Sequence, residues 1–206
     1  MSYTMIEYYT LIAMTCLYGG ILGMWVVNKC LANMGSVGKR ITIAPTKKSV
    51  MVLSSAIAGY IAQLIGLSLL FLFTIFIIKV DYGNHLLPII IIAMVGALTG
   101  LSLGIMLAST LKCNEDLKIG IMIFLTMLGC FLSGMMGITM KYIVDKNIPI
   151  INAINPANLI TDSFYALYYY DTLNRFLINV FSLIAISFIF IIVSIYSLRR
   201  SSYDHI

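Results

Sequence analysis

Side chains that could perform chemistry are few in this chain, and they are poorly placed for it. Nucleophilic catalysis needs a hydroxyl or thiol beside a base, because a weak nucleophile must lose its proton to a positioned neighbour. Ser133, in the stretch FLSG, has no such base nearby in the sequence, since the two histidines are His85 and His205. A phosphate-binding GxxxxGK[ST] loop is also missing. We therefore expect no enzymatic activity, and a small residue that permits close helix contact is the favoured interpretation of Ser133.

Composition assigns the chain to the membrane. Hydrophobic residues make up 61% of it and charged residues 10%, and the mean hydropathy is +1.00. A bilayer core of about 30 Å needs about 20 apolar residues per helix. Five stretches without Asp, Glu, Lys, Arg or His reach that length: 8–27, 50–78, 86–111, 119–138 and 176–198. Continuous apolar runs of this length form helices rather than barrel strands. The sequence thus predicts an all-α fold, a polytopic bundle of about five spans forming one transmembrane domain over 1–206.

The predicted spans contain none of the charged side chains that ion-driven transport places at the middle of a membrane. Their polar residues are neutral, and four of them are candidates for a substrate pathway: Gln63, Thr99, Ser102 and Ser133. A hydrogen bond between helices explains Gln63 more simply. If the chain moves a substrate, the energy is therefore expected to come from another subunit.

Small residues recur at four-residue spacing on three of the spans. They are Gly19 and Gly23 in the first, Gly96, Gly100 and Gly104 in the third, and Gly129, Ser133 and Gly137 in the fourth. Such faces let helix backbones approach closely in lipid, where the hydrophobic effect between helices offers no gain. We interpret them as packing faces, along which helices could also slide during a conformational cycle.

Positive charges are distributed unequally between the two sides that five spans define. With the amino terminus outside, the inner segments hold nine of the thirteen Lys and Arg residues and the outer segments hold four. The positive-inside rule then predicts an external amino terminus and a cytoplasmic carboxy terminus. We expect a multi-pass protein of a cell membrane, with the bacterial cytoplasmic membrane as the expected site. No groove-reading helix or aromatic-rich basic patch is visible, so no nucleic-acid partner is expected.

The segment 139–175, expected outside, contains the signals of a further helix. Asn155 is a good N-cap and Pro156 a good first helical residue, so the sequence predicts a helix from Pro156 to about Tyr170. Its apolar side chains lie near one face, with Asp162 well away from them: Ile160, Phe164, Leu167 and Tyr168. This pattern predicts an amphipathic helix at the membrane interface, with a passive aromatic belt as the alternative.

The segment 28–49, expected inside, is much longer than a simple helix connection and contains GSVGKRITIAPTKK. A span, a short cytosolic helix, a glycine and then R-(I/L)-x-x-(A/S)-P-(T/S) directly before a long span resemble the permease subunits of type 2 ABC exporters. The matching residues are Arg40, Ile41, Ala44, Pro45 and Thr46, while the glycine is displaced from its usual place at Ser36 to Gly35 and Gly38. The resemblance implies a coupling helix that docks on a separate ATPase, with coupling through Gly38, Lys39, Arg40, Pro45 and Thr46.

The external segment is similar to the same family, in which a short helix, often opened by a proline, forms a re-entrant or capping element before the last span. Asn155, Pro156, Ile160, Asp162 and Phe164 would occupy that element here. Fuller members of the family begin with another span, so the chain is expected to be shortened at its amino terminus.

The resemblance implies the function and partners of the chain. It would be the permease component of an ATP-driven exporter that works with an ABC-type ATPase, a second permease copy or companion permease, and membrane lipids. No cofactor is expected on this chain, since ATP and Mg would be bound by the ATPase. The alternative is a non-transporting membrane scaffold or immunity-type protein, in which the basic loop is only an anchor.

Overall fold

The computed structural model describes residues 3–30, 48–80, 86–134, 138–169 and 173–203. These ranges are helical and contain no β-strand. The helices are α1 (Tyr3–Cys30), α2 (Lys48–Leu72, continued by a π-helix over Phe73–Ile77), α3 (Leu86–Thr110), α4 (Glu115–Leu132), α5 (Ile138–Asn147), α6 (Pro149–Ile154), α7 (Pro156–Tyr169) and α8 (Asn174–Tyr203). The predicted all-α fold class is confirmed.

Within the described ranges, four helices are long and apolar enough to cross a membrane: Tyr8–Lys29, Val50–Ile77, Leu86–Thr110 and Asn174–Leu198. They coincide with four of the five predicted spans. The helix in the region of the remaining span, 119–138, is shorter than predicted, because α4 has 18 residues and ends at Leu132. Gly134 follows with a positive φ of 84°, the left-handed conformation that commonly terminates a helix. At about 1.5 Å per residue, α4 is about 27 Å long.

Glycines place α1 and α3 in direct backbone contact. A methyl group at Gly104 would overlap the carbonyl oxygen of Gly20, and one at Gly100 would overlap the carbonyl oxygen of Cys16. Since both pairs advance along the two helices together, α1 and α3 are parallel. We refer to Cys16, Gly20, Gly100 and Gly104 as the glycine seam. The predicted packing role of the small residues on α3 is confirmed there.

Hydrogen bonds set the directions of the remaining long helices. The hydroxyl oxygens of Thr99 and Ser187 are 2.8 Å apart, and Ser197 donates to the carbonyl oxygen of Ser109 over 2.6 Å. These contacts make α8 parallel to α3. By contrast, α2 runs antiparallel to α1, because its Gly59 lies beside Val26 whereas Gln63, one turn later, lies beside Gly19.

The buried apolar residues form two clusters along the bundle. The first lies at the end that contains α7 and includes Ile12, Ile92, Ile160, Phe164 and Leu183. The second lies towards the other end and includes Met24, Val27, Leu101, Ile105 and Met122. Large apolar side chains also cover the outside of the bundle, most extensively along α2, which is the surface expected of a helix in lipid.

Candidate functional site

Helix α7 lies inside one end of the bundle and packs against α1, α3, α4 and α8. Ile160 and Phe164 are 0% and 1% exposed, and Asp162 is only 7% exposed. The expectation of a helix with one face free of protein is therefore wrong, because Asp162 is buried as well as the apolar side chains; the position of α7 at the membrane interface stays a prediction. Burial of the polar side of α7 is possible because neighbouring elements supply hydrogen-bond donors and positive charges to it.

The predicted start of this helix is confirmed. The Asn155 side-chain oxygen accepts a hydrogen bond from the backbone N–H of Ala157 over 3.1 Å, and Pro156 is the first helical residue. The Asn155 amide also donates to the carbonyl oxygen of Gly129 over 2.7 Å. That carbonyl is in the last turn of α4 and also accepts the backbone N–H of Ser133 over 3.0 Å. Asn155 thus joins the beginning of α7 to the end of α4.

Asp162 is the centre of a charged cluster that connects three helices. One carboxylate oxygen accepts from Lys141 Nζ of α5 over 3.0 Å and from Arg175 Nη2 of α8 over 2.9 Å. The other accepts from Arg175 Nε over 2.8 Å and from Asn179 Nδ2 over 2.9 Å. Arg175 therefore binds the carboxylate through two nitrogens, which fixes the orientation of the guanidinium relative to the carboxylate. We call Asp162, Lys141, Arg175 and Asn179 the Asp162 cluster.

The protonation of Asp162 follows from these contacts. Burial acts to raise the pKa of the carboxyl, but the charge of Lys141 and the hydrogen bonds from Arg175, Asn179 and Lys141 outweigh it. The pKa of Asp162 is consequently lower than its ordinary value of 3.8. The Asp162 carboxyl is therefore ionised at neutral pH, and its contacts attach α7 to α5 and α8.

Aromatic and amide contacts hold the rest of α7. The ring of Phe164 stacks on that of Tyr9 in α1, with centroids 4.7 Å apart and planes 14° from parallel. Asn158 donates to the main-chain oxygen of Asn152 in α6 over 2.9 Å, and the Asn152 amide donates to Asp145 over 2.6 Å. Polar or stacked contacts thus join α7 to α1, α5, α6 and α8, whereas α3 packs on it through Gly96 against the side chain of Ile160.

The four pathway candidates are all hydrogen-bonded within the protein. Gln63 donates to the main-chain oxygen of Thr15 over 2.8 Å, so the predicted bond between helices is confirmed. Ser102 donates to the carbonyl oxygen of Thr99 over 2.9 Å, and Ser133 donates within α4. All four side chains are buried, with exposures from 0% to 8%. Their place on a substrate pathway stays a prediction.

The predicted coupling residues lie outside the described residues: Gly38, Lys39, Arg40, Pro45 and Thr46. The structure describes the helices on both sides, with α1 ending at Cys30 and α2 beginning at Lys48.

Sequence reasoning identified Asp162 but missed the residues that compensate its charge. Lys141 and Arg175 are two of the four cations expected outside, and Asn179 is a neutral polar residue within the predicted span 176–198. The signal that could have indicated these partners is the small number of charged residues, which are 10% of the chain. A carboxylate on a mostly apolar helix needs a compensating cation if it is buried. Which cation meets it depends on the fold of α5 and α8 around α7, which the spacing does not reveal.

Comparison with known proteins identifies the family. A family model described as "ABC-2 family transporter protein" matches residues 1–196, a range that includes α1 to α7 and most of α8. Neither a curated protein nor a solved structure matches the chain. With four long apolar helices in the ranges that the structure describes, the chain is a multi-pass membrane protein. It belongs to the ABC-2 transporter family and is a permease component of an ABC transporter.

Proposed function

We propose that this chain is the permease of an ATP-driven exporter and is coupled to a separate ATPase subunit through the segment 28–49. The observation that carries the proposal is the family match over residues 1–196. The ATPase would bind ATP and Mg, and a second permease copy or a companion permease would complete the pathway. The chain would lie in a cell membrane with the positively charged segment 28–49 in the cytoplasm.

The position of the basic motif supports docking by this segment. Arg40, Pro45 and Thr46 lie in the segment that connects the end of α1 at Cys30 to the start of α2 at Lys48. A force on this segment would therefore act on the adjoining ends of both helices. A cationic loop of this kind is suited to an acidic groove on a partner, because complementary charge favours specific association. Gly38 and Lys39 belong to the same proposed surface.

On this proposal, α7 caps the external end of the pathway. The Asp162 cluster ties it to α8, and Asn155 ties it to α4. The pair formed by Thr99 and Ser187 lies deeper, between α3 and α8. Rearrangement of the helices around α7 would open the exit when the ATPase closes on ATP, so the direction of transport would be outward.

Affinity purification in mild detergent, followed by mass spectrometry, tests the coupling. We expect an ABC-type ATPase to co-purify with the native chain and to be lost from the Arg40→Glu variant, because charge reversal opposes docking. Lys146→Glu is the matched control, with the same charge change in the 139–175 segment, and should retain the ATPase. Retention of the ATPase by Arg40→Glu would remove the coupling assignment. Absence of an ATPase from all three preparations would favour a non-transporting scaffold.

A further inference from the structure

Lys118, near the start of α4, is buried at the end of the bundle opposite α7. It is 1% exposed and is among the largest fully buried side chains in the described part of the chain. Its Nζ donates to the main-chain oxygen of Ala108 in α3 over 2.9 Å and to Asn28 Oδ1 in α1 over 3.5 Å. One side chain of α4 therefore contacts the ends of two other helices.

The acceptors of this lysine are neutral. Within the described ranges no carboxylate forms an ion pair with Lys118. Ala108 lies in the last turn of α3, where the exposed carbonyl oxygens and the helix dipole favour a cation. Burial lowers the pKa of Lys118, whereas Cys113 and Glu115 act to raise it. Burying a cation whose main partner is a carbonyl oxygen of another helix costs free energy. We therefore infer that Lys118 does more than contribute to the orientation of the chain in the membrane.

The contact with α1 is the weaker of the two. At 3.5 Å it is at the long limit for a hydrogen bond. Asn28 is 2% exposed, and its Nδ2 atom has no hydrogen-bond partner among the described residues. Asn28 is two residues before the end of α1 at Cys30, where the segment 31–47 begins. The contact is therefore positioned to strengthen or break when the end of α1 is displaced.

We propose that Lys118 is a positioning residue that transmits displacement of the inner end of α1 to α3 and α4 during the ATPase cycle. This inference rests on the proposed function, because the displacement would originate where the ATPase grips the segment after α1. Displacement of α1 would move Asn28 and change its hydrogen bond to Lys118. Lys118 would then shift relative to the Ala108 carbonyl oxygen and displace the last turn of α3. The glycine seam already joins α1 and α3 along their length, and Lys118 adds a hydrogen-bonded link between their inner ends.

Hydrogen–deuterium exchange of the complex with its co-purified ATPase tests the inference without knowledge of the substrate. Peptides from the end of α1 (22–30) and the end of α3 (104–111) are compared without nucleotide and after trapping with ATP and vanadate. In the native complex both peptides should change their exchange between the two states. In Lys118→Met the α1 peptide should still respond, and the response of the α3 peptide should be reduced, because only the contact through the glycine seam remains.

Two further variants separate this role from a general loss of stability. Asn28→Ala removes only the contact of Lys118 with α1 and leaves its bond to Ala108, so it should also reduce the α3 response. If Lys118→Met does not form a complex with the ATPase, the Asn28→Ala variant alone tests the inference. Lys146→Met makes the same charge change at an exposed lysine of α5, outside the docking segment, and should leave both responses intact.

The outcomes distinguish the two levels of the proposal. If both peptides respond in Lys118→Met and Asn28→Ala as they do in the native complex, Lys118 has no role in transmission and the inference is overturned. If neither peptide responds in the native complex, or no ATPase is present, the proposed function fails and the role of Lys118 fails with it.

Discussion

Replacing Asp162 with Asn should loosen α7, because the substitution keeps the side-chain volume but removes the negative charge that pairs with Lys141 and Arg175. The side chains of Asp162 and Lys141 are 10% and 17% exposed, whereas that of Arg175 is 50% exposed. Breaking a well-buried ion pair costs about 3–5 kcal/mol, and exposed pairs contribute less than about 1 kcal/mol. For this partly buried cluster we expect a loss of about 3 kcal/mol. At about 2–4 °C per kcal/mol for a chain of this size, Tm should fall by about 6–12 °C.

Thermal unfolding in detergent, followed by scanning fluorimetry, measures this loss. Asp145→Asn is the control, since Asp145 is exposed and accepts one hydrogen bond from Asn152. Because the folded pKa of Asp162 is below its ordinary value of 3.8, its stabilising contribution is present above that value and is lost as the pH falls through the folded pKa. The difference between native and Asp162→Asn proteins should therefore be constant above about pH 5 and shrink in more acidic buffer.

The reasoning would be refuted by a small effect or by the wrong pH dependence. A Tm for Asp162→Asn within about 2 °C of the native value, less than the change expected for 1 kcal/mol, would mean that packing alone holds α7. A loss no larger than that of Asp145→Asn would have the same meaning. A double-mutant cycle with Lys141→Met isolates the pair, and additive losses would show that the two charges do not interact.

Three other substitutions test separate contacts. Gly104→Ala should lower stability by about 1–3 kcal/mol in thermal unfolding, because its methyl group would overlap Gly20, whereas Gly120→Ala, which meets no atom within 4 Å, should be neutral or stabilising. Asn155→Ala should cost about 1–2 kcal/mol and speed hydrogen exchange in the first turn of α7; unchanged exchange would contradict the capping role. Gln63→Leu should cost about 1 kcal/mol and leave ATPase association unchanged in co-purification, and loss of association would contradict a purely structural Gln63.

The elements of the bundle were predictable where a local signal was strong. Long runs without charge predicted four helices close to their observed bounds, and Asn155 with Pro156 predicted where α7 begins. The end of α4 was missed, although Gly134 provided a local stop signal within the apolar run that extends to 138. Hydropathy was given more weight there than the backbone preference of a single glycine.

Burial of α7 was not predictable from its own sequence. Periodicity places Asp162 away from the apolar residues, and a helix with that pattern usually leaves its polar face in water. In this protein Arg175, Lys141 and Asn179 enclose the carboxylate instead, and they come from two other helices. The result depends on tertiary contacts between residues 13 to 21 positions apart, which no window of one helix contains.

The glycine seam has a consequence for how the sequence can change during evolution. Gly100 and Gly104 have backbone atoms where a side chain would begin, so a substitution there requires α1 and α3 to separate. Along α2 the situation is the opposite, since Ile61, Ile65 and Leu69 are each more than half exposed and another apolar residue would serve equally well in lipid. We therefore expect homologous chains to diverge freely along α2 while the two seam glycines remain fixed.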